Sequence, residues 1–189
     1  MLSFTPPKHI FDSLFKEGLE CAFESGKGDV ILRAFGACDA GNEEVVARLR
    51  ARKHREQKPF AVLTSSPGSL GHVSAADLAL LRSPACPIVL VERRRDAPVA
   101  PAVAPGSPLL GLLLPYTPLH HLLASDFAGP LVLTSGNRSD EPIATEDDDA
   151  RSRLGGIADA FLAHDRRIHR RCEDSVVGGG TGLFFLAWR

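Results

Sequence analysis

The stretch Pro130–Ile143, PLVLTSGNRSDEPI, sets small polar groups and a guanidinium directly behind an apolar run. Leu131, Val132 and Leu133 read as a buried strand. Thr134 to Asp140 then break into turn-forming residues, and the segment closes on Pro142. The hydroxyls of Ser135 and Ser139, the amide of Asn137 and the charge of Arg138 are the group types that together hold a phosphate. Gly136, with no Cβ, lets the main chain approach a ligand closely. Ligands of open α/β sheets sit at such strand ends. The same residues also suit a solvated turn, because Ser, Gly, Asn and Asp favour turns without any ligand. The composition of the stretch leaves both readings open.

A second concentration of charge, Arg48, Arg50, Arg52, Lys53 and Arg55, falls at the tail of a predicted helix. It reads either as an anion site or as a solvated end matched to the helix dipole. Arg93, Arg94 and Arg95 read first as a solvated charge run. His120 and His121 are adjacent, so they point to different helix faces and do not share one metal; metal pairs prefer i, i+4. One of them is expected to cover the core edge. No metal site is expected. The four cysteines, Cys21, Cys38, Cys86 and Cys172, contain no CxxC pair. A zinc ribbon, a dithiol redox site and a disulfide scaffold are therefore disfavoured, and reduced thiols of a cytoplasmic protein are the simplest reading. Gly178, Gly179 and Gly180 lack the G-K-[ST] ending of a phosphate loop and read as a flexible joint.

These groups need a framework to position them. The 189 residues, 44% hydrophobic and 24% charged, fit a globular domain with a real core. A net charge of -1 supplies no global field for nucleic acid. No stretch approaches the length of a membrane span, and the first residues do not read as a signal peptide. Apolar spacing predicts a helix over 9–24 and a strand over Val30–Leu32, with a turn over 33–41. Asn42 is the expected N-cap of a helix running to about Arg52. Strands follow at Phe60–Leu63, Ile88–Glu92 and Leu109–Leu114. Residues 64–72 are expected to be loop. Ser74 caps one further helix, and Thr117, with Pro118 at the first position, caps another. The acidic run Glu146–Asp149 marks a helix start. The Pro- and Ala-rich 93–108 segment reads as a surface excursion rather than a core element. Alternating strands and helices predict an α/β fold, a mixed, twisted sheet with helices on it.

Five segments together resemble one family: NEEVVARLRARKHREQKPFAVL (42–63), SPACPIVLVERR (83–94), GLLLPYTPLHHLL (111–123), PLVLTSGNRSDEPIAT (130–145) and IADAFLAHDRRIHRRCEDSVV (157–177). The chain resembles the YrdC-like domain of HypF-type carbamoyltransferases, the hydrogenase maturation proteins. The resemblance covers 37–177, so the domain is expected over 1–177, with a divergent helix and strand at 9–36 and a divergent tail at 178–189. It implies an open twisted mixed α/β sheet flanked by helices, with a concave basic face. The superfamily's KxR pair falls on Lys53 and Arg55, and its SxN triplet on Ser135 and Asn137. If residues 53–55 are extended, the spacing lets both cations point into one cleft.

The resemblance further implies ATP with Mg2+ as its companion, and adenylylation of carbamate derived from carbamoyl phosphate. Phosphate binding would fall to Lys53, Arg55, Lys58, Ser135, Asn137, Arg138 and Ser175, and the substrate cleft to Arg33, Thr117 and Ser139. No residue is assigned a bond-making role. The partners implied are the remaining HypF domains and an acceptor maturation protein; no membrane is implied. Arg33 stands where the family has Lys, in a segment several residues shorter than the family's glycine-rich one. Two other readings compete. One is a stand-alone threonylcarbamoyl-adenylate synthase for transfer RNA modification, which the HypF-like TSGNRSDEP wording disfavours. The other is a non-enzymatic RNA-binding or protein-binding module, for which the near-neutral charge makes strong RNA binding weakly supported.

Overall fold

The structure, a computed structural model, describes residues 30–32, 35–138, 141–162 and 174–178. The helix expected over 9–24 and the tail 179–189 lie outside them. In chain order the elements are β1 (Val30–Leu32), β2 (Phe35–Asp39), α1 (Glu43–Arg52), β3 (Ala61–Leu63), β4 (Gly71–His72), α2 (Ala75–Leu81) and β5 (Ile88–Arg93), then β6 (Leu109–Leu113), α3 (Pro118–Phe127), β7 (Leu131–Ser135), α4 (Asp147–Leu154), β8 (Ala160–Leu162) and β9 (Val176–Gly178). The sheet runs β4-β5-β6-β3-β7-β2-β1-β8, with β9 beside β5. The β1–β8, β3–β6 and β5–β9 pairs are parallel and the rest antiparallel, so the sheet is mixed, as expected.

Side chains alternate between the two faces of the strands. Val62, Val89, Leu110, Leu112 and Val132 face a core built with Val45, Val46 and Leu49 of α1, Leu81 of α2 and Leu154 of α4. Their neighbours Leu63, Leu113, Leu131 and Leu133 face the other way, onto Leu123 of α3. The helix starts are those the sequence marks. The Asn42 side chain accepts from Val45 N–H (3.1 Å), Ser74 and Asp77 form a reciprocal capping box, and Thr117 Oγ1 accepts from His120 N–H (3.1 Å). His120 is buried beside the Tyr116 ring, the core-edge role expected of one histidine of the pair.

Four expectations are corrected. Residues 33–41 are not a turn throughout: Phe35–Asp39 is a strand paired with β1 and with β7. The antiparallel register sets Leu32 opposite Phe35 and Phe35 opposite Ser135, and neighbours on both sides outweigh the weak local strand signal of FGACD. The 64–72 loop holds the short strand β4, paired with the end of β5. The 93–108 segment enters the core: Val99, Ala100, Ala102, Val103 and Ala104 are buried, around a 3-10 turn at Pro101–Val103. Its side chains are small and apolar, and its backbone is bonded on several sides. Ala100 N–H reaches Ala40 O (2.8 Å), Phe60 N–H reaches Val103 O (2.8 Å) and Ala102 N–H reaches the Glu43 carboxylate (3.0 Å). Arg94 pairs with Asp96 at the surface (2.9 Å) and Arg95 is exposed, in keeping with the solvated reading, but Arg93 is half-buried at the end of β5 and its guanidinium donates to Val99 O. Finally, Gly178 belongs to β9 rather than to a joint.

The β4–β5 contact is close enough to depend on one glycine. A Cβ on Gly71 would press on Val91 Cγ2 and lie 3.0 Å from the Glu92 carbonyl oxygen. Gly71→Ala is expected to destabilise the fold by about 1–3 kcal/mol, as measured by thermal or urea unfolding. A variant as stable as the parent would mean that β4 packs less tightly than described.

Candidate functional site

The cationic tail of α1 ends in a hydrogen-bonded left-handed stop. Lys53 is the C-cap, and His54 follows at φ 51. His54 N–H bonds to Ala51 O (3.1 Å) and Arg55 N–H to Arg50 O (3.0 Å), the pairing of a Schellman motif. Lys53 and Arg55 therefore do not sit in extended chain, as the spacing suggested; a left-handed residue separates them. Glycine usually occupies such a position. His54→Gly is expected to stabilise the fold by about 0.5–1 kcal/mol, the left-handed penalty less glycine's own entropy. A thermal melt unchanged or lowered would contradict this.

From that turn Lys53 reaches the end of β7. Its Nζ donates to Ser135 O (2.7 Å), to Asn137 O (2.9 Å) and, at 3.5 Å, to Asn137 Oδ1. The Arg55 guanidinium donates to Lys58 O (3.1 Å), Pro59 O (2.6 Å) and Thr134 Oγ1 (3.5 Å). The sheet register explains the meeting. β3 runs antiparallel to β7 with Ala61 opposite Leu133, which brings the chain just before β3 level with Ser135. The KxR and SxN residues thus share one site.

The β7 side is internally organised. Ser135 Oγ donates to Asn137 Oδ1 (2.5 Å), and Asn137 Nδ2 donates to Glu141 O (2.6 Å). Arg153 of α4 ties the far side of this loop, donating to Glu141 Oε2 (2.8 Å) and to Pro142 O (2.8 Å). Arg138 projects as an exposed side chain, and Lys58 is half-buried, its carbonyl oxygen used by Arg55 and by Arg50 (3.1 Å).

Like charges crowd here. Burial, and then the charge of Arg55, lower the Lys53 ammonium to about 8. Burial, and then the charge of Arg50, lower Arg55 to about 10. A polyanion docking against this cluster relieves both repulsions. The sign for stability follows. Between about pH 8 and 10.5 the unfolded chain keeps a proton on Lys53 that the folded chain has released, so the contribution of Lys53 to stability rises with pH across that window and is flat below it. Anion affinity moves the other way and falls above about pH 8. Urea unfolding of wild type and Lys53→Met at about pH 7 and about pH 9, below the range in which Arg55 contributes, should show the gain in wild type and not in the variant.

Other expected site residues lie elsewhere. Thr117 follows the C-terminal end of β6, which is level with Leu63 and Leu131, so it extends from the opposite end of the β6-β3-β7 strands to Ser135. Its hydroxyl caps α3. Ser175 lies at that same far end, its carbonyl accepting from Ile88 N–H (2.8 Å). The structure does not bring these two to the Lys53 cluster. Arg33 and Ser139 lie outside the described residues. Arg50, named above only within the basic tail, and Phe60 and Arg153 also border this cluster, although none is among the expected site residues. For Arg50 a signal existed: it stands four residues after Val46, on the apolar stripe of its helix. Among the described residues no group of three His, Cys, Asp or Glu side chains could hold a metal, and no helix is long and apolar enough to cross a membrane.

A family model described as Telomere recombination, for the Sua5, YciO and YrdC proteins, matches residues 36–182. The chain belongs to this YrdC-like family. Within it, the chain is 52% identical over 143 residues to carbamoyltransferase HypF of Rhodobacter capsulatus, covering 75% of this chain and 19% of that protein. It is 47% identical over 162 residues to carbamoyltransferase HypF2 of Cupriavidus necator, covering 76% of this chain and 20% of that one. The solved structure of full-length HypF in its phosphate- and nucleotide-bound form matches with a TM-score of 0.82 and 36% identity, over 90% of this chain and 24% of that one. This YrdC-like chain spans about a fifth of the curated relatives it matches. Its fold is the open, mixed YrdC-like α/β sheet.

Proposed function

We propose that this YrdC-like chain binds ATP where Lys53 meets Ser135 and Asn137 and forms carbamoyl adenylate, as one part of HypF-type carbamoyl transfer in nickel–iron hydrogenase maturation in the cytoplasm. The observation that carries the reading is the contact of the Lys53 ammonium with the Ser135 and Asn137 backbone, which places a buried cation against a hydroxyl–amide strand end. A solved HypF relative with phosphate and nucleotide bound supports it.

In the reaction a carbamate oxygen attacks the α-phosphorus of ATP. A new O–P bond forms, the bond to the β-phosphate breaks, and pyrophosphate leaves with the electron pair. Lys53 and Arg55 would oppose the charge that gathers on the departing group. Ser135 Oγ can turn from Asn137 Oδ1 to donate to a phosphate oxygen, and Arg138 can close from the solvent side. Magnesium accompanying the nucleotide would add positive charge at the phosphates beside Lys53 and Arg55. Carbamate would come from carbamoyl phosphate through the remaining HypF domains, and the carbamoyl group would pass on toward an acceptor maturation protein.

Calorimetry with ATP and magnesium, and carbamate-dependent exchange of labelled pyrophosphate into ATP, test the reading. Binding together with exchange supports it. Binding without exchange leaves a nucleotide-binding unit and rejects the catalytic half. No ATP binding by wild type rejects the whole.

A further inference from the structure

We infer that Arg50 is a positioning residue that fixes the cation loop 53–58 against the rest of the domain and thereby sets how Lys53 is presented to the β7 strand end. Arg50 is buried, and its guanidinium is spent on main-chain carbonyls. Nε donates to Ala102 O (2.6 Å) and Nη2 to Val103 O (3.1 Å), both in the core-entering Pro-rich segment. Nη1 donates to Arg55 O (2.7 Å), Lys58 O (3.1 Å) and Glu56 O (3.3 Å), all in the cation loop. One rigid planar fork therefore joins two segments that share no strand. Glu43, two helical turns earlier in α1, accepts from Ala102 N–H (3.0 Å), so α1 holds the Pro-rich turn by its N–H and its carbonyl together. The loop end nearest Lys53 is held by Arg50 from both sides: its main-chain carbonyl accepts from Arg55 N–H, and its guanidinium donates to Arg55 O. Lysine, with a single point of charge and no fork, cannot reproduce the set. The importance of this arrangement for ligand affinity rests on the nucleotide reading above; the arrangement itself does not.

The experiment uses the full chain with 13C-labelled lysine, which gives five resonances, from Lys8, Lys16, Lys27, Lys53 and Lys58. Arg50→Lys is compared with wild type by NMR of the lysine 13Cε groups and by ATP calorimetry. The Lys53 resonance is expected to move toward the solvated-lysine position, and ATP affinity to fall at least tenfold, while unfolding stays cooperative. Leu81→Ala, in the part of the core where α2 packs on β5, three strands from β7, should lower stability yet leave the Lys53 resonance in place; that separates positioning from general loosening. An Arg50→Lys protein whose Lys53 resonance matches wild type overturns the inference. If Arg50→Lys does not fold, Glu43→Ala is used, and it should shift the same resonance by a smaller amount; no shift there also overturns it. Failure of wild type to bind ATP rejects the nucleotide reading, and the Lys53 resonance still decides the role of Arg50.

Discussion

Lys53→Ala is expected to weaken ATP binding at least about 100-fold, and Asn137→Ala about tenfold, when each is titrated by calorimetry near neutral pH. The larger effect follows from what Lys53 does twice over. It supplies a cation, and it holds the Ser135 and Asn137 carbonyls, so its removal loses charge and frees the strand-end loop together. Asn137 contributes neutral hydrogen bonds, to Ser135 Oγ and Glu141 O. Because the two residues touch, the double variant should lose less than the sum of the single losses in free energy. Arg94→Ala, at an exposed ion pair outside the cluster, serves as the control and should bind as wild type does. Equal affinities in Lys53→Ala and wild type would place the nucleotide somewhere else.

The second large effect belongs to Phe60. The ring is buried, and two guanidinium carbons lie over it, Arg50 at 4.7 Å and Arg55 at 4.8 Å. Phe60→Ala removes the core volume and both cation–ring contacts. It is expected to destabilise the protein by about 3–5 kcal/mol in urea unfolding. Phe60→Leu keeps most of the apolar volume and should lose roughly 1–2 kcal/mol. A Leu variant as damaged as the Ala variant would put the weight on the ring–guanidinium contacts rather than on packing. A loss below about 1 kcal/mol in Phe60→Ala would contradict the burial described.

Much of the framework was legible in the chain. Asn42, Ser74 and Thr117 announced their helices because a side chain that caps a helix acts over three residues and needs no tertiary partner. Strands β3, β5, β6 and β7 were legible as short apolar runs bounded by proline or polar residues. What escaped depends on distant partners. Phe35–Asp39 becomes a strand because β7 and β1 flank it. The alanines and valines of 99–104 are core because α1 presents Glu43 and Arg50 to their backbone. At the site, the family resemblance implied that Lys53 and Arg55 meet Ser135 and Asn137, and that juxtaposition is present. The same reasoning could not see that Thr117 and Ser175 leave the sheet at its other end, since strand direction and register are not written in a motif.

The outer edge of β5 is shared. β4 lies along its last two residues, and β9 along its first three, arriving from 88 residues later in the chain. A version of this protein cut short before Ser175 would leave the amides and carbonyls of Ile88–Leu90 open on that side. Such a bare strand recruits another copy of itself, so shortened forms should clump on expression even though every residue of the Lys53 cluster is still present.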